Sequence, residues 1–118
     1  MHEFSLAEGL IKAVREEMVR HQPLPGKLQR IRVVVGEMRQ VVPETLRFAY
    51  QTLARGTEAE GSELVIEPKP TAAECRDCSW TGPIENHLFI CKQCESTNIT
   101  IISGKELFLS SMEFDKNE

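Results

Sequence analysis

The four cysteines of this chain, its full complement, stand as two Cys-x-x-Cys pairs, Cys75/Cys78 and Cys91/Cys94, with twelve residues between them. One such turn aims two sulfurs at a single point, and two facing turns make a tetrahedral thiolate cage. Zinc favours that cage, with Zn–S bonds of about 2.3 Å, and four protein ligands leave no position for substrate. A site of this kind is structural. Two disulfides, a redox dithiol or a rubredoxin-like iron centre are the competing readings of the same residues. The paired spacing favours zinc.

Composition supports that choice. The first residues, MHEFSLAEGL, lack the cationic flank and apolar core of a secretory signal, and no apolar run approaches a membrane span. A cytoplasmic setting is therefore expected, where disulfides are unusual. The 118 residues allow one domain carrying a smaller appendage, which a structural metal would hold together. With 14 Lys and Arg against 18 Asp and Glu, the chain lacks the cationic surplus that binding to nucleic acid draws on. Nothing pairs a nucleophile with a base or forms a phosphate loop, so no enzyme is expected. A zinc ribbon that binds protein or nucleic acid is the alternative function.

Elements must position the sulfurs. Phe4, Ala7, Ile11, Val14 and Met18 recur at helical spacing, and Ser5 with Glu8 forms a capping box that predicts a helix starting near residue 5. Pro23, Pro25 and Gly26 end it. Leu28 to Gly36 reads as a strand, with Ile31, Val33 and Val35 on one face and Arg30 and Arg32 opposite, each arginine placed to pair with acidic residues. Pro43 opens a second helix with Leu46, Ala49, Tyr50 and Leu53 inward, and Gly56 stops it. Leu64 to Glu67 is a short strand, Glu106 to Phe114 a final one, and Asp115 to Glu118 a solvated tail. The expected fold is α+β: a small mixed sheet of about three strands with two helices, plus an inserted zinc-ribbon-like module with two CxxC knuckles. Its expected domains are 1–70 with 105–118, and the module 71–104.

A second chemical possibility lies at Met1-His2-Glu3. Taken alone, His2 reads as part of a polar terminus. The chemistry is nonetheless available, because planar nitrogen donors suit Ni(II) or Cu(II). An α-amine, the His2 imidazole and the first backbone amide nitrogens reach one ion through fused chelate rings. Glu3 could add an oxygen or hold the imidazole in place.

Met1-His2-Glu3 before a helix, then Val33-Val34-Val35-Gly36-Glu37, Val42-Pro43-Glu44, Leu46-Arg47-Phe48-Ala49-Tyr50 and the cysteine quartet, together resemble the HypA/HybF family over essentially the whole chain. These are nickel metallochaperones of [NiFe]-hydrogenase maturation. The resemblance implies Ni(II) as transient cargo at Met1, His2 and Glu3, and structural Zn(II) at Cys75, Cys78, Cys91 and Cys94. It implies a partner GTPase and the hydrogenase large-subunit precursor as partners, admits a homodimer and urease service, and involves neither nucleic acid nor membrane. Nickel affinity should fall below about pH 6.5, where protons compete for the imidazole and amine. Some relatives carry histidines flanking their CxxC pairs. Here Trp80 stands two residues after Cys78, Glu95 follows Cys94, and His87 alone lies in the module. The zinc site is accordingly expected to be rigid rather than switching. His87 reads as a solvated loop residue, His21 as a helix-end partner of the dipole, Glu37 as a solvated strand end, and Trp80 and Phe89 as packing for the module.

Overall fold

The computed structural model describes residues 2–116, with side chains as far as Asp115. Met1, Asn117 and Glu118 lie outside the described residues. The chain forms two units. One is built from the described residues up to Val34, Val41–Glu67 and those from Phe108 onward; the other from Val35–Gln40 and Pro68–Leu107.

In the first unit, helix α1 spans His2–Arg20 and buries Ala7, Leu10, Ile11, Val14 and Met18. The helix thus begins before the expected cap, and Ser5 lies exposed inside it. Tertiary contacts override the local signal. Phe4 meets Phe48 edge-on, with ring centroids 6.3 Å apart, and the Glu3 carboxylate accepts the Val42 N–H at 3.1 Å. Both residues of α1 are held from the second helix or the residue before it, so the first turn closes ahead of Ser5. Helix α2 spans Pro43–Ala54 with Pro43 at its first position, where a missing N–H costs nothing. Its buried stripe is Leu46, Ala49, Tyr50 and Ala54. Leu53 is only half-buried, because Ala54 takes the inward place one residue on.

Strand β1 spans Gly26–Gly36 and β2 spans Glu63–Lys69. The strand that closes the chain, called β6 here in chain order, spans Leu107–Lys116, so Asp115 belongs to it rather than to a tail. These three form a sheet in the order β2-β1-β6. Ile31, Val33 and Val35 of β1 are buried. On the opposite face Arg30 donates to Glu63 at 3.0 Å and to Glu113 at 2.7 Å, and Arg32 donates to Glu113 at 2.8 Å. One central strand is thereby tied by charge to both neighbours. Tyr50 is wholly buried, with its hydroxyl 2.6 Å from the Ser62 hydroxyl, which bonds the Ala59 carbonyl.

The second unit carries its own sheet: β3 (Ala72–Cys75), β4 (Thr81–Pro83) and β5 (Ile99–Ser103), in the order β4-β3-β5 with both pairings antiparallel. This unit also takes a short 3-10 turn, Glu37–Arg39. The Gly36 N–H bonds the Glu106 carbonyl at 2.7 Å, and the Met38 N–H bonds that of Gly104 at 2.8 Å. A Cβ on Gly36 would overlap the Gly104 carbonyl, so only glycine permits this approach. No helix among the described residues is long and apolar enough to cross a membrane.

Candidate metal centre

Cys75 is the last residue of β3, and the chain turns through Cys78 before β4 begins at Thr81. Cys91 and Cys94 lie on the connection from β4 to β5. The two turns repeat one backbone pattern. The Cys75 N–H bonds the Trp80 carbonyl and the Ser79 N–H bonds the Cys75 carbonyl, at 2.7 and 3.0 Å; Cys91 makes the same pair with Ser96 and Glu95, at 2.8 and 2.9 Å. Ser79 and Glu95, each four residues beyond its first cysteine, adopt positive φ of 68° and 62°. Such a turn leaves backbone N–H groups aimed at sulfur. Asp77 donates to the Cys75 sulfur at 3.4 Å, and Gln93 and Cys94 each donate to the Cys91 sulfur at 3.3 Å.

The four sulfurs lie within 4.8 Å of one another. Cys75 to Cys94 is 3.7 Å and Cys78 to Cys91 is 3.5 Å. Zn–S bonds of about 2.3 Å in a tetrahedron put sulfurs roughly 3.8 Å apart. A disulfide would need about 2.05 Å, and all four cysteines are free. The donor set therefore fits a tetrahedral metal. Cys75 and Cys91 are buried, Cys78 is half-buried and Cys94 is exposed. The Trp80 N–H favours the Cys78 thiolate, yet burial and the neighbouring cysteines push that thiol up to about 12. Burial also raises Cys91, but the Cys94 and Gln93 N–H groups outweigh it and bring this thiol down to about 7. Four sulfurs this close cannot all ionise without a cation between them.

Contacts at the rim join the two turns. Asp77 accepts the Ser96 hydroxyl on Oδ2 at 2.5 Å and the Asn98 amide on Oδ1 at 3.0 Å. Those two bonds hold its carboxyl below the usual carboxylate range. Arg76 donates its backbone N–H to the Asn98 carbonyl at 2.9 Å and its Nε to Thr100 Oγ1 at 2.7 Å.

At the other candidate site, His2 is exposed and is the first residue of α1. The first four N–H groups of a helix have no intrahelical carbonyl acceptor, and the Glu3 N–H finds one in its own carboxylate. The Val42 N–H holds the Glu3 carboxyl below its ordinary range. Among the described residues, the cluster of His, Cys, Asp or Glu side chains close enough to hold an ion is the cysteine quartet; it does not include His2 or Glu3. Met1, the remaining predicted site residue, lies outside the described residues.

Comparison with known proteins places this geometry. The family model for HypA, described as hydrogenase/urease nickel incorporation, metallochaperone, matches residues 1–114. The chain belongs to the HypA family. It is 35% identical over 113 residues to the hydrogenase maturation factor HypA of Beijerinckia indica, covering 96% of this chain and 98% of that one. It is 33% identical over 116 residues to the factor of the same name from Desulfitobacterium hafniense, covering 98% and 100%. The solution structure of the Ni metallochaperone HypA from Helicobacter pylori superposes with a TM-score of 0.71 at 28% identity, covering 97% of each chain. HypA proteins are nickel metallochaperones of hydrogenase maturation, not enzymes, and this chain is one of them.

Within this HypA protein the remaining histidines have other roles. His87 is exposed in the loop after β4, its ring 6.4 Å from that of Phe89. His21, just past α1, pairs with Glu17 at 3.1 Å. Trp80 is half-buried beside Gly82, where a Cβ would come within 2.5 Å of its ring. Phe89, expected to pack the module, is 38% exposed; Ile84 fills the interior instead. Sequence reading passed over Asp77, Ser96 and Asn98. Polar residues in a knuckle carry no pattern, since their use depends on a partner about twenty positions away.

Proposed function

We propose that the chain carries Ni(II) transiently at its N-terminus and delivers it, with a partner GTPase, to the [NiFe]-hydrogenase large-subunit precursor in the cytoplasm. The α-amine of Met1, the His2 imidazole and the backbone nitrogens of His2 and Glu3 make the nickel ligand set. Cys75, Cys78, Cys91 and Cys94 hold a permanent structural Zn(II). Residues 1–70 and 105–118 form the nickel-binding domain and 71–104 the zinc-binding module. A homodimer is compatible with this reading.

The observation that carries it is the exposure of His2 at the origin of α1 in a chain of the HypA family. An exposed imidazole at the start of a helix is a nitrogen donor that is not enclosed. An open site suits a carrier, which must surrender its ion. The Glu3 carboxylate is occupied by Val42, which supports a backbone role for this residue rather than side-chain ligation.

Metal analysis with X-ray absorption on an untagged preparation tests the division of labour. His2→Ala, or one residue added before Met1, should abolish nickel binding and keep one zinc on four sulfurs. If either variant binds nickel as the parent does, the terminal site is wrong. Iron in the parent, evident as a red protein, would remove zinc from the reading.

A further inference from the structure

The two knuckles are alike in backbone but unequal in support. The first is built into the sheet on both sides, with Cys75 ending β3 and Thr81 opening β4. The second has a strand only downstream, where β5 begins at Ile99. Of its intervening residues, Lys92 pairs with exposed Glu85 in the loop leading into the knuckle. Cys94, the exposed ligand, also belongs to the second knuckle.

Asp77, at the tip of the first knuckle, spans this gap. Its Oδ2 accepts Ser96 Oγ at 2.5 Å and its Oδ1 accepts Asn98 Nδ2 at 3.0 Å. Ser96 is itself a member of the second knuckle, because its carbonyl accepts the Cys91 N–H at 2.8 Å. The Asn98 N–H returns to Ser96 Oγ at 2.9 Å. Both carboxylate oxygens are thus committed, to partners 19 and 21 residues away. An ordinary solvated carboxylate would not be so constrained.

We propose that Asp77 is a positioning residue that clamps the second knuckle onto the first and thereby sets how long the cage keeps its metal. The proposal rests on the reading of the quartet as a zinc site. Release of a metal from four thiolates requires its sulfurs to part from it one after another. Cys91 and Cys94 swing only as far as Ser96 permits, and Ser96 is held by Asp77. Charge-assisted bonds of this type are the stronger class, and losing both leaves the Arg76 bonds to Asn98 and Thr100 as the remaining tie, which loosens the second knuckle without touching a ligand.

The test uses full-length, zinc-loaded protein with no free metal. Zinc content is measured first, then the rate of zinc transfer to an excess of a chelating dye. Cysteine alkylation by N-ethylmaleimide is then mapped by mass spectrometry. Asp77→Ala should release zinc on the order of tenfold faster, with Cys91 and Cys94 alkylated ahead of Cys75 and Cys78. Ser96→Ala should show the same order with a smaller gain. The double variant should be no faster than Asp77→Ala by the full Ser96→Ala increment, since the two share one bond. Asp77→Asn, which keeps an acceptor and a similar shape, should fall between and serves if the alanine variant does not fold. Zinc in the wild type with an unchanged release rate in the variants overturns the clamp. So does alkylation of all four cysteines together, the mark of general unfolding. A wild type lacking one equivalent of zinc overturns the metal reading itself, and the clamp's purpose with it.

Discussion

The two units solve the problem of staying folded in different ways. The first encloses Val14, Leu28, Ile31, Val33, Leu46, Tyr50 and Leu64, all at or below 2% exposure. Elements of a conventional domain, two helices on a sheet, supply that core. The second unit buries Val35, Ala73, Ile84, Thr71, Cys75 and Cys91, a short and mostly small-residue set. Burial at about 25 cal/mol per Å² of apolar surface cannot be large there. Its order is expected to depend on a metal held by the four sulfurs. The two candidate sites differ in the opposite sense: His2 is exposed on the unit with the strong core, and Cys75 and Cys91 are buried in the unit with the weak one.

The largest effect should follow from breaking the quartet. Cys91→Ser, or exhaustive chelation, should cost the second unit its order while the first persists. Structural zinc contributes on the order of 10 kcal/mol in small modules, more than such a core could replace. Hydrogen exchange resolved by segment checks this: protection should vanish across β3, β4 and β5 and survive in α1 and β1. Equal loss in both units would mean that they do not differ as argued.

Next in size is His2→Ala, which should weaken nickel binding by more than about a hundredfold, roughly 3 kcal/mol, with no change in melting temperature. Titration calorimetry and a thermal melt on the same sample decide it. His2 is exposed and supports no core contact, so a melting shift would show that the imidazole also stabilises the fold.

Much of this was legible in the sequence, for physical reasons that differ by region. The quartet needs only spacing, because a CxxC turn is a local object. The β1 alternation of Ile31, Val33 and Val35 against Arg30 and Arg32 was legible because strands repeat every two residues. The pairing of those arginines with acidic residues followed, although Glu63 and Glu113 as partners did not. The helix start was misplaced, since Ser5 and Glu8 have the spacing of a capping box, while α1 begins at His2 with Glu3 and Phe4 held by Val42 and Phe48 from about forty positions away. The second sheet escaped notice because β3 and β4 have only four and three residues, too few to show a period. The contribution of residues 35–40 to the second unit has no local signature; it rests on the Gly36–Glu106 and Met38–Gly104 bonds.

Tyr50→Phe probes the first unit's core directly. It removes a hydroxyl bonded to Ser62 at 2.6 Å and leaves the ring in place. Ser62 keeps its bond to the Ala59 carbonyl, so one buried bond is lost without orphaning a donor. The expected destabilisation is about 1 kcal/mol, read from urea unfolding followed by a signal from α1. A loss of several kcal/mol would mean that the Tyr50–Ser62 contact, rather than the apolar core around it, fixes the loop after α2.

The smallest effect concerns Glu113, and it tests whether surface charge adds anything to a unit already held by burial. Arg32 and then Arg30 hold its carboxyl below the ordinary range. A depressed carboxyl stabilises the fold above its unfolded pKa, and that contribution is lost as pH falls through the lower folded value. Wild type should therefore lose more melting temperature between pH 7 and pH 3 than Glu113→Gln, which has no proton to gain. The difference should shrink further in high salt, because all three side chains are about 40% exposed and such pairs are screened. Parallel melting curves across that pH range would show that the arginine bridge over β1 and β6 orders side chains without stabilising the sheet. A difference larger than that of Tyr50→Phe would reverse the ranking and make the charged face, rather than the core, the principal support of β6.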